Sequence, residues 1–302
     1  MGRIRRQDIG ILFFYFLGYS KIRYFIYRLF NRPVAIFLAF HDILPEFIQD
    51  FKNKMIFLKQ KTNVMKIEDF FNANLSMKKI NVVITFDDGF KSWVSTTLPI
   101  LADLNLSATF FISSGSINLT QKDEIDFTNK NLNKTYGTGC LTFEDIKKIA
   151  SENITIGGHT INHAHLSRLN DKEQILHEII EDKKQLEEIS NKKIDYFAYP
   201  FGEYHNRYFD LQEILKDAGY KGAVTLMPGI NNQKTNPFLL FRMITGARLD
   251  LNVFKAITYE NSSAVYFLKK LFSMNRDRGR PHGRRPPTPP DLPARIRRFE
   301  SN

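Results

Sequence analysis

An α/β fold built on a parallel sheet is what this sequence predicts, and three observations carry that prediction. Seven short runs rich in β-branched and aromatic residues recur along the chain, and helical periodicity fills most of the intervals between them. Polar side chains gather immediately after several of these runs, at what would be the carboxyl ends of strands. The 302 residues, 43% hydrophobic and 25% charged, are enough for one large core and exclude collagen-like, disordered and multi-pass membrane architectures. Strands alternating with helices imply parallel pairing, closed as a barrel or doubly wound. Polar strand ends converging on one face favour the α/β barrel, which places its sites there.

The elements follow in order. Residues 1–32 form a basic segment in which seven Lys and Arg stand against Asp8 alone. Its apolar run, Ile9 to Leu17, is too short to cross a bilayer, which needs about 20 apolar residues. A basic start before a short apolar run also fits a signal peptide, with Gly18 and Ser20 as the small residues near a cleavage point. Beyond it, Ile22, Tyr24, Phe25, Ile26, Leu29 and Phe30 lie between basic residues. The segment is read either as an amphipathic stretch in peripheral contact with an anionic membrane or as a helix packed on the domain.

Strands are expected at Val34–Phe40, Asn81–Phe86, Ala108–Ile112, Ile154–Gly157, Tyr196–Tyr199, Ala223–Leu226 and Leu239–Ile244. Phe47, Phe51, Met55 and Leu58 repeat at helical spacing, Thr142 with Asp145 is a helix start signal, and Leu176, Ile179, Leu186 and Ile189 mark a longer helix. Trp93 is expected in the core. One domain therefore spans 33–274. From Asn275 onward the chain has eight Arg, no Lys and six of the twelve prolines, so 275–302 reads as a disordered Arg/Pro-rich tail.

The net charge of +11 resembles a nucleic-acid signature until it is located. Residues 1–32 carry +6 and 275–302 carry +5, whereas 33–274 hold 28 basic and 28 acidic residues. A neutral body argues against a specific nucleic-acid partner. The single cysteine, Cys140, can form neither an internal disulfide nor a cysteine cluster, so a metal site would draw on His, Asp and Glu.

Four strand ends concentrate chemistry. The first is followed by His41-Asp42, the second by Asp87-Asp88-Gly89, the fourth by His159-Thr160-Ile161-Asn162-His163, and the fifth runs into Pro200-Phe201-Gly202. Taken alone, the Asp pair reads as a capped turn into a helix, and the two histidines as surface or capping residues. Four residues apart, however, two imidazoles on a helical turn can reach one ion. Together with an aspartate they supply three ligands and leave positions open, the layout of a catalytic rather than a structural site. His165 reads as a loop histidine rather than a fourth ligand. Tyr199 and Phe201 could stack on a sugar ring or fill the barrel mouth.

Thr85-Phe86-Asp87-Asp88-Gly89, His159-Thr160-Ile161-Asn162-His163 and Phe197-Ala198-Tyr199-Pro200-Phe201-Gly202, in that order, resemble the motifs of the polysaccharide deacetylases of the NodB-homology type. The resemblance runs from about Val34 to Ile244 and implies a distorted seven-stranded (β/α) barrel. It implies Asp88, His159 and His163 as ligands of one divalent metal ion, zinc by expectation. Asp87 would be the general base toward a metal-activated water, and the backbone N–H of Phe201 would stabilise the oxyanion. The expected substrate is an N-acetylated glycan containing N-acetylglucosamine, and the expected place of action is the cell envelope. An O-acetyl esterase of the same fold and a glycan-binding pseudoenzyme are the alternatives.

Two positions depart from the family pattern. The third motif usually carries an Arg that orients the base, where this chain has Ala198, and the last strand usually supplies a His as general acid, yet no His lies between His205 and His282. One branch of the family takes its acid from a His after the first strand, the place of His41. Arg242, on the last expected strand, is the candidate replacement for the missing Arg.

Overall fold

The period of two along the central strands sorts side chains into two layers, and that sorting decides where the polar strand ends point. A computed structural model of the protein describes residues 6–18, 22, 25, 33–132 and 137–259. The expected tail at 275–302 and most of 19–32 lie outside the described residues.

Helix α1 (Arg6–Phe16) precedes β1 (Ala35–Phe40), α2 (Ile48–Lys61), the two-residue β2 (Asn63–Val64), α3 (Ile67–Phe71) and β3 (Asn81–Asp88). Then come α4 (Leu98–Asp103), β4 (Ala108–Ile112), α5 (Gln121–Lys130), α6 (Phe143–Ser151) and β5 (Ile154–Gly158). The chain continues through α7 (Lys172–Ser190), β6 (Tyr196–Ala198), α8 (Leu211–Asp217), β7 (Gly222–Val224), β8 (Met243–Ile244) and α9 (Leu251–Thr258).

The sheet runs β7-β6-β5-β4-β3-β1-β8, with β2 pairing β3 off this path, and all of these pairs are parallel. It holds eight strands rather than the seven expected, because Asn63 and Met65 donate to Ile80 and Val82 and add β2 as a short flank. The last expected strand, Leu239–Ile244, is divided. Leu240 exchanges hydrogen bonds with Ala223 and Thr225, while Met243 and Ile244 pair with Leu38 and Ala39 of β1. That segment spans the gap between the two edges and curls the sheet toward an incomplete barrel, with Arg242 at its centre.

Ile36, Leu38 and Phe40 of β1 and Val82, Ile84 and Phe86 of β3 face the helices, joined by Phe51, Met55 and Leu58 of α2 and by Trp93, as the sequence pattern requires. Their alternates, Ala35, Phe37 and Val83, fill the barrel with Phe111, Tyr196, Ala198, Val224 and Leu240. Thr85 and Asp87 share the phase of Val83 and therefore point inward. The start signal at Thr142 is a complete capping box: its hydroxyl accepts from the Asp145 N–H and Asp145 accepts from the Thr142 N–H.

Candidate metal centre and active site

At the carboxyl end of β3 the strand alternation is broken. Asp88 has a φ of 93° and Gly89 a φ of 106°, which turns Asp88 away from the direction two-fold alternation would give it. Asp87 keeps the interior phase, and the two neighbouring acids serve different surroundings. Positive φ recurs at Thr160 (63°), His163 (51°) and Phe201 (58°). Among the described residues, apart from Ala73, the other non-glycine residues in that region are Asn, a residue that tolerates it. Such strain in larger side chains gathers where a site demands it.

Asp88, His159 and His163 offer ligand atoms that all lie within 4.8 Å of one another. His159 Nε2 is 3.5 Å and His163 Nε2 3.4 Å from Asp88 Oδ1. Metal bonds of about 2.1 Å at a tetrahedral angle place neighbouring ligand atoms about 3.4 Å apart, so the cluster has the size of a divalent-metal site. The orientation fits as well. His159 Nδ1 lies 2.7 Å from the Ala198 carbonyl and His163 Nδ1 3.0 Å from the Asn131 carbonyl. A carbonyl only accepts, so each Nδ1 carries its proton, and each Nε2 faces Asp88, placed to give its lone pair to an ion held there. Burial disfavours a charge on His159, but Asp88 and Asp87 outweigh it and raise its pKa; the pocket attracts positive charge.

The segment 159–163 is not helical, which corrects the helical-turn reading of the His spacing: with Thr160 and His163 in the left-handed region, a tight turn returns His163 to the first imidazole. The rings are 4.8 Å apart, edge to face. The turn is held from outside by α7. Asp182 accepts from the N–H groups of His159 and Ser114, both at 2.9 Å. Glu178, one helical turn earlier, accepts from the Asn162 N–H at 2.9 Å and its Nδ2 at 2.8 Å. A Cβ on Gly158 would stand 2.8 Å from the Asp182 carboxylate, so glycine permits this approach. Sequence reasoning missed both acids. The available signal was the stripe Ile175, Ile179, Asp182, Leu186, in which an acid occupies a core position.

On the other side of the pair, Arg242 makes a bidentate ion pair with Asp87, at 2.6 and 2.7 Å. Its remaining donors reach the Thr85 hydroxyl at 3.0 Å and the Thr225 carbonyl at 2.9 Å, and its guanidinium lies over the Phe111 ring. Arg242 is fully buried. Burial penalises the charge on Asp87, and Arg242, with smaller help from His159 and His41, more than offsets it and holds the carboxyl below its ordinary pKa. His41 follows β1 one residue past the Phe40–Phe86 register pair, which puts it level with Asp87. The Trp93 indole N–H donates to the His41 carbonyl at 3.1 Å, so the buried Trp93 also props this rim. Asp42 accepts from Ser92 and Thr138 and ties down the turn near Thr138.

Phe201 sits in the short turn Pro200–Gly202 beside the cluster. Its ring meets His163 edge-on at 4.3 Å and is stacked in parallel by His165 at 3.7 Å. His165 in turn pairs with Glu203 at 3.1 Å, and Ser167 donates to the same carboxylate. His165 is thus outside the ligand cluster. Tyr199 is fully buried, with its hydroxyl donating to the Phe238 carbonyl. Of the two readings open for these residues, burial supports filling of the barrel mouth for Tyr199, whereas Phe201 is half-buried, with one ring face covered by His165.

At its mouth the incomplete α/β barrel carries a buried Asp-His-His cluster that could hold a metal ion, beside an Arg-paired carboxylate. Residues 74–223, about half of the chain, match the family model described as polysaccharide deacetylase, and the chain belongs to that family. It is 28% identical over 165 residues to YxkH of Bacillus subtilis (strain 168), whose name assigns it to the same family; the match covers 54% of this chain and 50% of that one. The chain thus spans about half the length of this curated relative. Among solved structures it is similar to the Streptococcus pyogenes deacetylase PplD in complex with acetate, with a TM-score of 0.60 and 20% identity over 75% of this chain and 99% of that one. It is also similar to IcaB from Ammonifex degensii, with a TM-score of 0.57 and 21% identity over 76% and 97% of the two chains. At these identities the structural likeness bears on the fold.

Proposed function

We propose that this protein hydrolyses N-acetyl groups on an N-acetylglucosamine-containing polysaccharide of the cell envelope. The observation that carries the reading is the juxtaposition of two differently equipped acids, Asp88 facing two oriented imidazoles and Asp87 clamped by Arg242. Asp88, His159 and His163 would hold one divalent ion, zinc by the nitrogen-rich donor set. When bound, such an ion supplies Lewis acidity toward the acetyl carbonyl and lowers the pKa of water in the site.

Asp87, ionised and fixed by two hydrogen bonds, accepts the proton of the attacking water. Arg242 takes over the orienting task that Ala198 cannot perform and keeps the carboxylate in one rotamer. The Phe201 N–H, set by the left-handed turn, donates to the oxygen on which negative charge develops, a contribution of about 3 kcal/mol for such a donor. His41, on the rim level with Asp87, delivers a proton to the departing amine. The complete set favours an enzyme over a glycan-binding pseudoenzyme.

The test is metal analysis of the purified protein followed by acetate release from N-acetylglucosamine oligomers and, in parallel, from an acetylated xylan. Stoichiometric metal with release from the amide substrate is expected. Release from the ester alone would reassign the protein as an O-acetyl esterase, and release from neither, with metal bound, would reject the hydrolase reading.

A further inference from the structure

Phe201 has a backbone conformation that phenylalanine rarely adopts, with φ 58° and ψ 7°, and such a conformation persists only where surrounding contacts over-determine it. Its own turn supplies two of them: the Gly202 N–H donates to the Tyr199 carbonyl at 2.9 Å and the Glu203 N–H to the Pro200 carbonyl at 3.1 Å. Others come from the chain that follows His163. The His165 ring lies flat on the Phe201 ring, at 3.7 Å and 2° from parallel, while His163 meets it edge-on. Two residues past Phe201, Glu203 reaches the same stretch and accepts from His165 Nδ1 at 3.1 Å and from the Ser167 hydroxyl. Asn206 closes the series. Its Nδ2 donates to the Leu166 and Leu169 carbonyls at 2.6 and 2.7 Å, and its Oδ1 accepts from the N–H groups of Tyr208 and Phe209.

These contacts zip 163–169 to 201–206, and His165 takes part in two of them at once. It offers a ring face to Phe201 and a ring N–H to Glu203, so both partners fix its orientation. Burial penalises the charge on Glu203, but the hydrogen bonds from His165 and Ser167 outweigh it and hold the carboxyl below its ordinary pKa. An ionised acceptor therefore faces both donors at neutral pH. We infer that His165, fastened by Glu203, is a positioning residue for the hydrolysis: by pressing on the Phe201 ring it holds the left-handed turn, and with it the Phe201 N–H, in the direction of the reacting carbonyl. The inference rests on the deacetylase reading, in which that N–H donates to the oxyanion. A donor out of place weakens the transition state far more than the bound substrate.

The experiment compares His165→Ala, His165→Phe, Glu203→Ala and Glu203→Gln with the parent, each as the full chain with its metal content measured, on whichever acetylated glycan the parent cleaves. In His165→Ala, kcat should fall by about tenfold to a hundredfold with KM within about twofold of the parent and metal retained. His165→Phe restores the stack and should recover most of that loss. Glu203→Ala should fall between the two, and Glu203→Gln, which keeps an acceptor, should match the parent. A second measurement does not depend on turnover. The sequence holds two Pro-Phe pairs, Pro200-Phe201 and Pro237-Phe238, so isotope labelling of proline carbonyl carbons and phenylalanine nitrogens isolates these two amides in the NMR spectrum. In His165→Ala the Phe201 amide should shift and exchange its proton at least about tenfold faster, while the Phe238 amide stays in place and reports that the fold is intact. Three results would overturn the inference: parental kcat in His165→Ala, loss of metal in step with turnover, or a Phe201 amide that neither shifts nor exchanges faster. A parent that releases no acetate from amide or ester would end the hydrolase reading and this inference with it, whereas an active parent with an unmoved Phe201 amide would end this inference alone.

Discussion

Asp87 and Asp88 are consecutive in sequence yet rest on opposite kinds of support. Asp87 belongs to a corner made of strands: it extends from β3 in regular phase, Arg242 comes from the segment that closes the sheet beside β1, and Thr85 and Thr225 hold the guanidinium from neighbouring positions. Asp88, His159 and His163 form a corner made of turns. Two of these three residues have positive φ, and both imidazoles depend on backbone carbonyls of other segments, Ala198 and Asn131. A sheet corner is rigid by construction. A turn corner must be braced from elsewhere, and α7 does this through Glu178 and Asp182. In the proposed mechanism, proton handling falls on the stiff side and ligand supply on the braced side.

The largest expected effect comes from breaking the turn corner outright. A His159→Ala, His163→Ala double variant removes both nitrogens and should lose stoichiometric metal, checked by elemental analysis after gel filtration, with acetate release falling to background. Retained metal would mean that the ion, if any, sits elsewhere. The next largest separates the two corners. Asp87→Asn keeps the shape and should keep the metal while turnover falls by about 10² to 10⁴; Asp88→Asn should instead weaken metal binding itself. Equal loss of metal in both variants would erase the distinction between the acids.

These two corners also differ in how far the sequence revealed them. Asp87, Asp88, His159 and His163 stand in ordered motifs at strand ends, and the strand pattern alone puts them on one face. Arg242 was legible because it sits on the last strand run and the chain lacks the usual Arg at Ala198. Glu178 and Asp182 were not, since their partners lie 16 to 68 residues away and a helix rich in Glu and Lys reads as a solvated face. The positive φ at His163 was equally hidden: four-residue spacing suits a helical turn, and only the packing of the loop against α7 and Asn131 selects the tighter path. The short β2 lacked the length that a period of two requires to be noticed.

A smaller effect tests the rim shared by both corners. His41→Ala should lower turnover on an N-acetyl glycan by about 10² and should lower turnover on an activated acetyl ester much less, because an alkoxide of low basicity leaves without a proton. The measurement is the ratio of the two rates at verified metal content. A parental ratio would remove His41 from the proton path.

The smallest of these changes bears on the brace. In Asp182→Asn the side chain keeps its shape, but one of its two acceptors becomes a donor facing the N–H of His159 or Ser114. Losing such outer support typically weakens metal binding by about 10- to 100-fold, which competition with a chelator would measure directly, and Glu178→Gln should weaken it less because Asn162 can adjust. The same substitution has a pH signature. Burial raises the pKa of Asp182 to about 7 despite its two N–H donors, far above the carboxyl of an unfolded chain. A carboxyl raised in the folded state stabilises the fold fully below its unfolded pKa, near 3.8, and that contribution is lost as pH rises toward the folded value. In the metal-free protein, denaturant unfolding should therefore show the parent losing about 2 kcal/mol relative to Asp182→Asn between about pH 5 and about pH 7. Parallel stability curves for the two proteins would show that Asp182 is charged throughout, and unaltered chelator competition would show that the metal corner stands without it.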